Sequence, residues 1–191
     1  MKKIITRLFI LGALIALIAL LPAGAAAQQL DARQRNAETV VADGLAQLPA
    51  ATPAVFNEVM GELAATGSAG VEMIAGMLTP ADKGKKATLE YALNGITAYA
   101  TAPGNEALCA DVRKGLVRAI ERCADNANRA FLFSQLQLCS AAEDAAWILP
   151  YLDDSYLSDY AIRALISTPG TEPVLLAEAR KEGLAAERKR A

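Results

Sequence analysis

The chain is 191 residues long, carries a formal net charge of −2 and contains no histidine. It therefore lacks the commonest general base near neutral pH and the commonest metal ligand, and its three cysteines are far apart with no C-x-x-C pair, which excludes an ordinary zinc site. The acidic balance argues against nucleic acid as a partner, because phosphate contacts require clustered Lys and Arg.

Lys2, Lys3 and Arg7 precede an apolar run from Leu8 to Leu21, which Pro22 and Gly24 break, and Ala25-Ala26-Ala27 offers a small-residue cleavage pattern. Residues 1–27 read as a secretory signal peptide. The alternative is an uncleaved anchor, but the run is shorter than the ~20 apolar residues that a span requires. The mature chain is expected to start at Gln28 and to form one domain over 28–191. It keeps 16 Lys and Arg against 21 Asp and Glu, a net charge near −5. The expected location is exported, in the periplasm or at the cell surface, with no membrane contact beyond the export signal.

Apolar residues then recur at helical spacing almost to the end of the chain. Asn36 to Leu48 reads as a leading helix. Thr52-Pro53 forms an N-cap with proline at the first helical position, followed by the stripe Phe56, Val59, Met60 and Leu63. Gly67 ends that helix and Ser68 caps the next, whose inner face is Val71, Ile74, Ala75 and Leu78 before Pro80. The Lys-rich link Asp82 to Lys86 leads to a third stripe at Leu89, Ala92, Leu93, Ile96 and Ala100. Asn94-Gly95 inside this run is the strongest two-residue hairpin cue, yet the alanine content disfavours a strand, and helix is the expectation. A long helix follows from about Asn105 to Glu121, buried through Leu108, Val112, Leu116 and Ile120. Asp125-Asn126 turns into an apolar helix around Phe131 to Leu138. A short helix from Glu143 to Tyr151 and a turn at Asp153-Asp154-Ser155 lead to the stripe Leu157, Ala161, Ala164 and Leu165. Thr171 is expected to cap the last helix, with Pro173 in its first turn.

Ala102-Pro103-Gly104-Asn105-Glu106 is echoed by Thr168-Pro169-Gly170-Thr171-Glu172, placing the two glycines 66 residues apart. That interval holds two helix pairs of about 33 residues each, a period typical of stacked helical repeats. The short links force successive helices to pack antiparallel, and each hairpin must stack on the next to cover its remaining apolar face. The expected fold is all-α, a right-handed α-α superhelix of antiparallel helix hairpins.

Trp147-Ile-Leu-Pro-Tyr-Leu-Asp-Asp154, then Tyr160-Ala-Ile-Arg-Ala-Leu165, then Thr168-Pro-Gly-Thr-Glu172 resembles a HEAT repeat of the short bacterial type. Val71 to Glu106 is similar to a second copy and Asn105 to Glu143 to a degenerate third. Such repeats often carry an Arg early in the second helix, where this chain has Ser158 and Asp159. More narrowly, the chain resembles the N-terminal HEAT-like region of exported bacterial proteins that precedes a 3-keto-disaccharide hydrolase type domain. The resemblance implies either a stand-alone relative or a truncated version of such a protein.

Few residues suggest chemistry. Glu143-Asp144 and Asp153-Asp154 are paired carboxylates, but adjacent residues on a helix do not face each other across a bond, and helix capping accounts for them. Gly67-Ser68-Ala69-Gly70 lacks the nucleophile-elbow spacing and a histidine to activate the serine. A hairpin turning near 124–125 sets Cys109 opposite Cys139, as a candidate disulfide or as two buried thiols; Cys123 is left unpaired. Trp147, Tyr151, Tyr156 and Tyr160 form an aromatic-rich stretch that reads as core or as a recognition spot. Asn94, Arg129, Gln135, Asp159 and Arg163 are the candidate polar residues of a concave face. No catalytic set, cofactor or metal is expected. The expected function is an exported, non-catalytic scaffold that binds a protein partner through its concave face. The alternative is an accessory or truncated module of a carbohydrate-acting protein.

Overall fold

The computed structural model describes residues 36–80, 86–181, 183, 184 and 188. The signal-peptide reading of 1–27, the start at Gln28 and all of the Lys-rich link except Lys86 lie outside the described residues.

The described residues contain α-helices and short 3-10 turns and no strand. The helices are α1 (Ala37–Ala46), α2 (Pro53–Ala65), α3 (Gly67–Gly76), α4 (Lys86–Ala100), α5 (Glu106–Arg122) and α6 (Asn126–Cys139). Then come a 3-10 turn (Ala142–Asp144), α7 (Ala145–Ile148), a second 3-10 turn (Leu149–Asp153), α8 (Ser158–Ser167) and α9 (Glu172–Ala179). Most of the expected stripe residues are buried: Val59, Met60 and Leu63 on α2, Val71, Ile74 and Ala75 on α3, Leu89, Ala92, Leu93, Ile96 and Ala100 on α4, Val112, Leu116 and Ile120 on α5, and Leu157, Ala161, Ala164 and Leu165 around α8; Phe56, Leu78 and Leu108 are only half-buried.

Asn94-Gly95 lies inside α4 and makes no turn. A Cβ at position 95 would overlap the sulfur of Met60 on α2, so glycine here serves close helix packing. Gly115 on α5 works the same way: a Cβ there would stand 2.7 Å from Val71 Cβ and 2.8 Å from the Ser68 carbonyl oxygen of α3.

Helix ends depart from expectation in two places. Thr52 caps α2 as the sequence suggests, accepting the Val55 N–H at 3.3 Å. Ser68 does not cap α3. The N-cap is Thr66, whose hydroxyl turns back to donate to the Leu63 carbonyl at 2.5 Å, and Gly67, at φ +63°, reverses the chain without a loop. Thr171 stands at the N-cap of α9 but makes no capping bond. Its hydroxyl instead reaches the Leu165 and Thr168 carbonyls, at 2.6 and 2.8 Å. The short helix expected over Glu143 to Tyr151 is broken into 3-10, α and 3-10 turns, with Pro150 in the last of them.

Packing follows a regular order. From α1 to α6 each helix touches its sequence neighbour; the broadest contact, α3 with α5, skips one helix, as do α2 with α4 and α6 with α8, and α5 packs as extensively on its neighbour α6. Two rows result. One holds α1, α3 and α5 and continues through ion pairs into residues 142–148; the other holds α2, α4, α6 and α8. Gly104 and Gly170 both lie in the turn leaving a helix of the second row, with φ of +91° and +85°. The following side chain bonds back to a carbonyl six residues earlier in both turns: Asn105 Nδ2 to Tyr99 at 2.9 Å and Thr171 Oγ1 to Leu165 at 2.6 Å. The sequence echo is thus the same joint built twice.

Candidate interaction surface

The second row keeps one stripe of each helix unburied. On α4 the stripe includes the exposed Tyr91, Asn94 and Ala98; on α8 it includes the exposed Asp159, Arg163 and Ile166. Between them, α6 presents Phe131 and Ser134, half-buried, and Leu138, exposed. Spacings of three and four residues put each set on one face of its helix. Tyr91, Leu138 and Ile166 are 40, 53 and 66% exposed, so three successive helices each offer a large apolar side chain to solvent. Asn94 Nδ2 donates to Gln135 Oε1 at 3.4 Å and Gln137 Nε2 to Ser167 Oγ at 3.1 Å, tying α4, α6 and α8 side by side.

The candidate residues fall into separate groups. Asn94, Asp159 and Arg163 lie on these exposed stripes, and Arg163 sits over the Tyr160 ring at 5.8 Å. Gln135 is only 4% exposed, so it links helices and offers little to a partner. Arg129, Trp147 and Tyr151 come together around the buried Phe133. The Phe133 ring is 5.0 Å from Tyr151 and 5.9 Å from Trp147, and Arg129 lies over the Tyr151 ring at 5.3 Å. Trp147 Nε1 donates to Glu121 at 2.8 Å. This cluster seals the junction of α5, α6 and α7 while leaving Trp147 and Tyr151 half-buried. Tyr156 stands apart, exposed in the turn that Asp154 organises by accepting the Tyr156 and Leu157 N–H groups.

The paired carboxylates serve the framework. Arg113 binds Glu143 at 2.6 Å and Asp144 at 3.1 Å, and Asp144 also accepts the Ala141 N–H. The Arg113 hydrogen bond holds the Glu143 carboxyl below its usual range. Burial opposes the charge of Arg113, but the bonds and charges of Glu143 and Asp144 outweigh it and raise its pKa. Asp153 is lowered by its hydrogen bonds to Arg188, which also reaches Glu178 at 2.6 Å and the Leu149 carbonyl at 2.9 Å. Sequence periodicity did not reveal the link between rows of charge on α3 and α5, where Glu72 binds Arg118 at 3.1 Å and also Arg122. Those residues are 46 and 50 positions apart, beyond the reach of any local pattern.

All three cysteines are free thiols. Burial pushes Cys139 up to about 12, with the charges of Cys109 and Asp144 adding to the rise, and burial raises Cys109 as well. The raised pKa of Cys109 and Cys139 keeps both mainly as thiols, not the thiolate that reacts. Among the described residues no group of three or more Cys, Asp or Glu side chains could hold a metal ion, and no helix is long and apolar enough to cross a membrane. Comparison with family models, with curated proteins and with solved structures finds no match to this chain.

Proposed function

We propose that the chain is a HEAT-like α-solenoid, a right-handed stack of helix hairpins, that acts as an exported, non-catalytic scaffold and binds a protein partner. The partner lies along the free face of α4, α6 and α8, the concave side of the stack. One observation carries this reading: three consecutive helices of one row each leave an apolar side chain exposed on a stripe otherwise set with Asn94, Ser134, Asp159 and Arg163. A mixed apolar and polar stripe repeated helix by helix is the kind of surface on which solenoids bind extended partners.

Site-specific photocrosslinking tests it in cells. A crosslinker at Asn94 or Ile166 captures one discrete protein, and the same probe at Lys114 or Arg118, on the other row, does not. Equal capture from both rows, or none from the α4–α8 face, refutes the assignment. Detection of the chain only in the cytoplasmic fraction refutes export.

The half-buried Trp147 and Tyr151 favour a second reading, an accessory module for a carbohydrate-acting protein, since such rings stack on sugars. Trp147 is the only tryptophan in the chain, so its fluorescence reports directly. A saturable change on adding a disaccharide supports this second reading, and an unchanged spectrum removes it.

A further inference from the structure

Cys109 and Cys139 are 30 positions apart and belong to α5 and α6, the two helices that the short turn at 123–125 folds back on each other. Cys109 extends the α5 stripe of Val112, Leu116 and Ile120 by one step, and Cys139 extends the α6 stripe of Leu132 and Leu136. Counted equally from the turn, Ile120 stands opposite Asn128, Leu116 opposite Leu132 and Val112 opposite Leu136, all of them buried. The next pair out is Cys109 with Cys139. Arg113, one turn on from Cys109, fastens this end of the hairpin by binding Asp144, five residues beyond Cys139, at 3.1 Å. Electrostatics agree: Cys139 feels the charge of Cys109, and both sulfurs feel Arg113. Packed helix axes lie about 8–10 Å apart with Cα atoms about 2.3 Å from each axis, so directly facing Cα atoms stand about 3.5–5.5 Å apart, within reach of a disulfide.

We propose that Cys109 and Cys139, reduced in this structure, are a disulfide-forming pair that joins α5 to α6 when the chain folds in contact with a disulfide donor, such as glutathione disulfide or a disulfide-carrying oxidoreductase. The Cys109 thiolate attacks the donor disulfide and releases one donor thiol. Cys139 then gives up its proton, and its sulfur displaces the second donor thiol from Cys109. Two electrons pass from the cysteines to the donor, and the two cysteine protons leave with the two donor thiols. Cys109 takes the first step because it is half-buried, whereas Cys139 is only 7% exposed. Cys139 Sγ loses only a weak bond to the Gln135 carbonyl, 3.8 Å long. Cys123 lies at the other end of both helices and stays a thiol. The pairing is a property of the fold and stands apart from the scaffold and export readings, because the test supplies the donor.

The test is refolding of the reduced full-length chain in a buffer of glutathione and glutathione disulfide, followed by alkylation of free thiols and tryptic mass mapping without reductant. Cleavage at Arg113, Arg122, Arg129 and Arg163 puts each cysteine on its own peptide. The expected product links the Cys109 and Cys139 peptides and leaves Cys123 alkylated. Cys123→Ser keeps only the pair, and its oxidation should raise the melting temperature by about 5–15 °C, the effect of an unstrained disulfide in a chain of this size. Cys109→Ser combined with Cys123→Ser should show no such rise. Three alkylated cysteines, a dominant link to Cys123, or an oxidised Cys123→Ser that melts no higher than its reduced form overturns the inference.

Discussion

Glycine carries two opposite meanings in this chain, and the surroundings of each Cβ position separate them. At Gly115 the missing methyl lets α5 lie against the backbone of α3, whereas at Gly76 it leaves a gap. Gly115→Ala is expected to destabilise the protein by about 1–3 kcal/mol, the usual cost of overpacking. Gly76→Ala removes a flexible residue from a helix end and should stabilise by up to about 1 kcal/mol. Urea denaturation of the two variants beside the parent checks both signs, and the contrast fails if they shift the same way. The sequence could not tell these roles apart. Asn94-Gly95 carries the composition of a tight turn, and only the approach of Met60, 35 positions upstream, explains why that glycine sits inside a helix. Thr171 shows the same limit: a threonine before Glu-Pro has the pattern of a cap, but its hydroxyl finds the Leu165 carbonyl first.

At the scale of helices, periodicity was an accurate guide wherever one face is buried. The stripes on α2, α4, α5 and α8 were legible because nonpolar side chains every three or four residues have one way to leave water. The segment from Ala142 to Asp153 was not, because it is held by ion pairs and aromatic rings more than by a stripe. Arg113 is central to it. A carboxyl whose folded-state pKa lies below its ordinary 4.5 adds stability that is complete above that value and lost as the pH falls through the folded-state pKa. Glu143 is such a group, so Arg113→Gln should melt below the parent at pH 7, with the difference closing as the pH drops under about 4.5. Calorimetry across that range measures it; a gap that stays constant to pH 3 would show that the arginine acts through packing alone.

Across the whole molecule, contacts connect each helix mainly to neighbours within three positions along the chain. An assembly of that kind loses structure locally, since damage at one end leaves the other end's partners in place. Leu165 is fully buried in α8, and Leu165→Ala is expected to cost about 2–5 kcal/mol. Hydrogen exchange should then quicken in α6, α8 and α9 while α2 and α3 keep their protection; uniform loss over every helix would instead indicate one closed globule. The paired joints at Gly104 and Gly170 add a consequence of their own. Because both bends have the same handed turn and the same six-residue tether, the stretch between them behaves as a cassette with matching ends. If the hairpins stack as proposed, a second copy spliced in after Gly170 is expected to meet the junction it was shaped for and to lengthen the molecule by 66 residues with its seams unchanged.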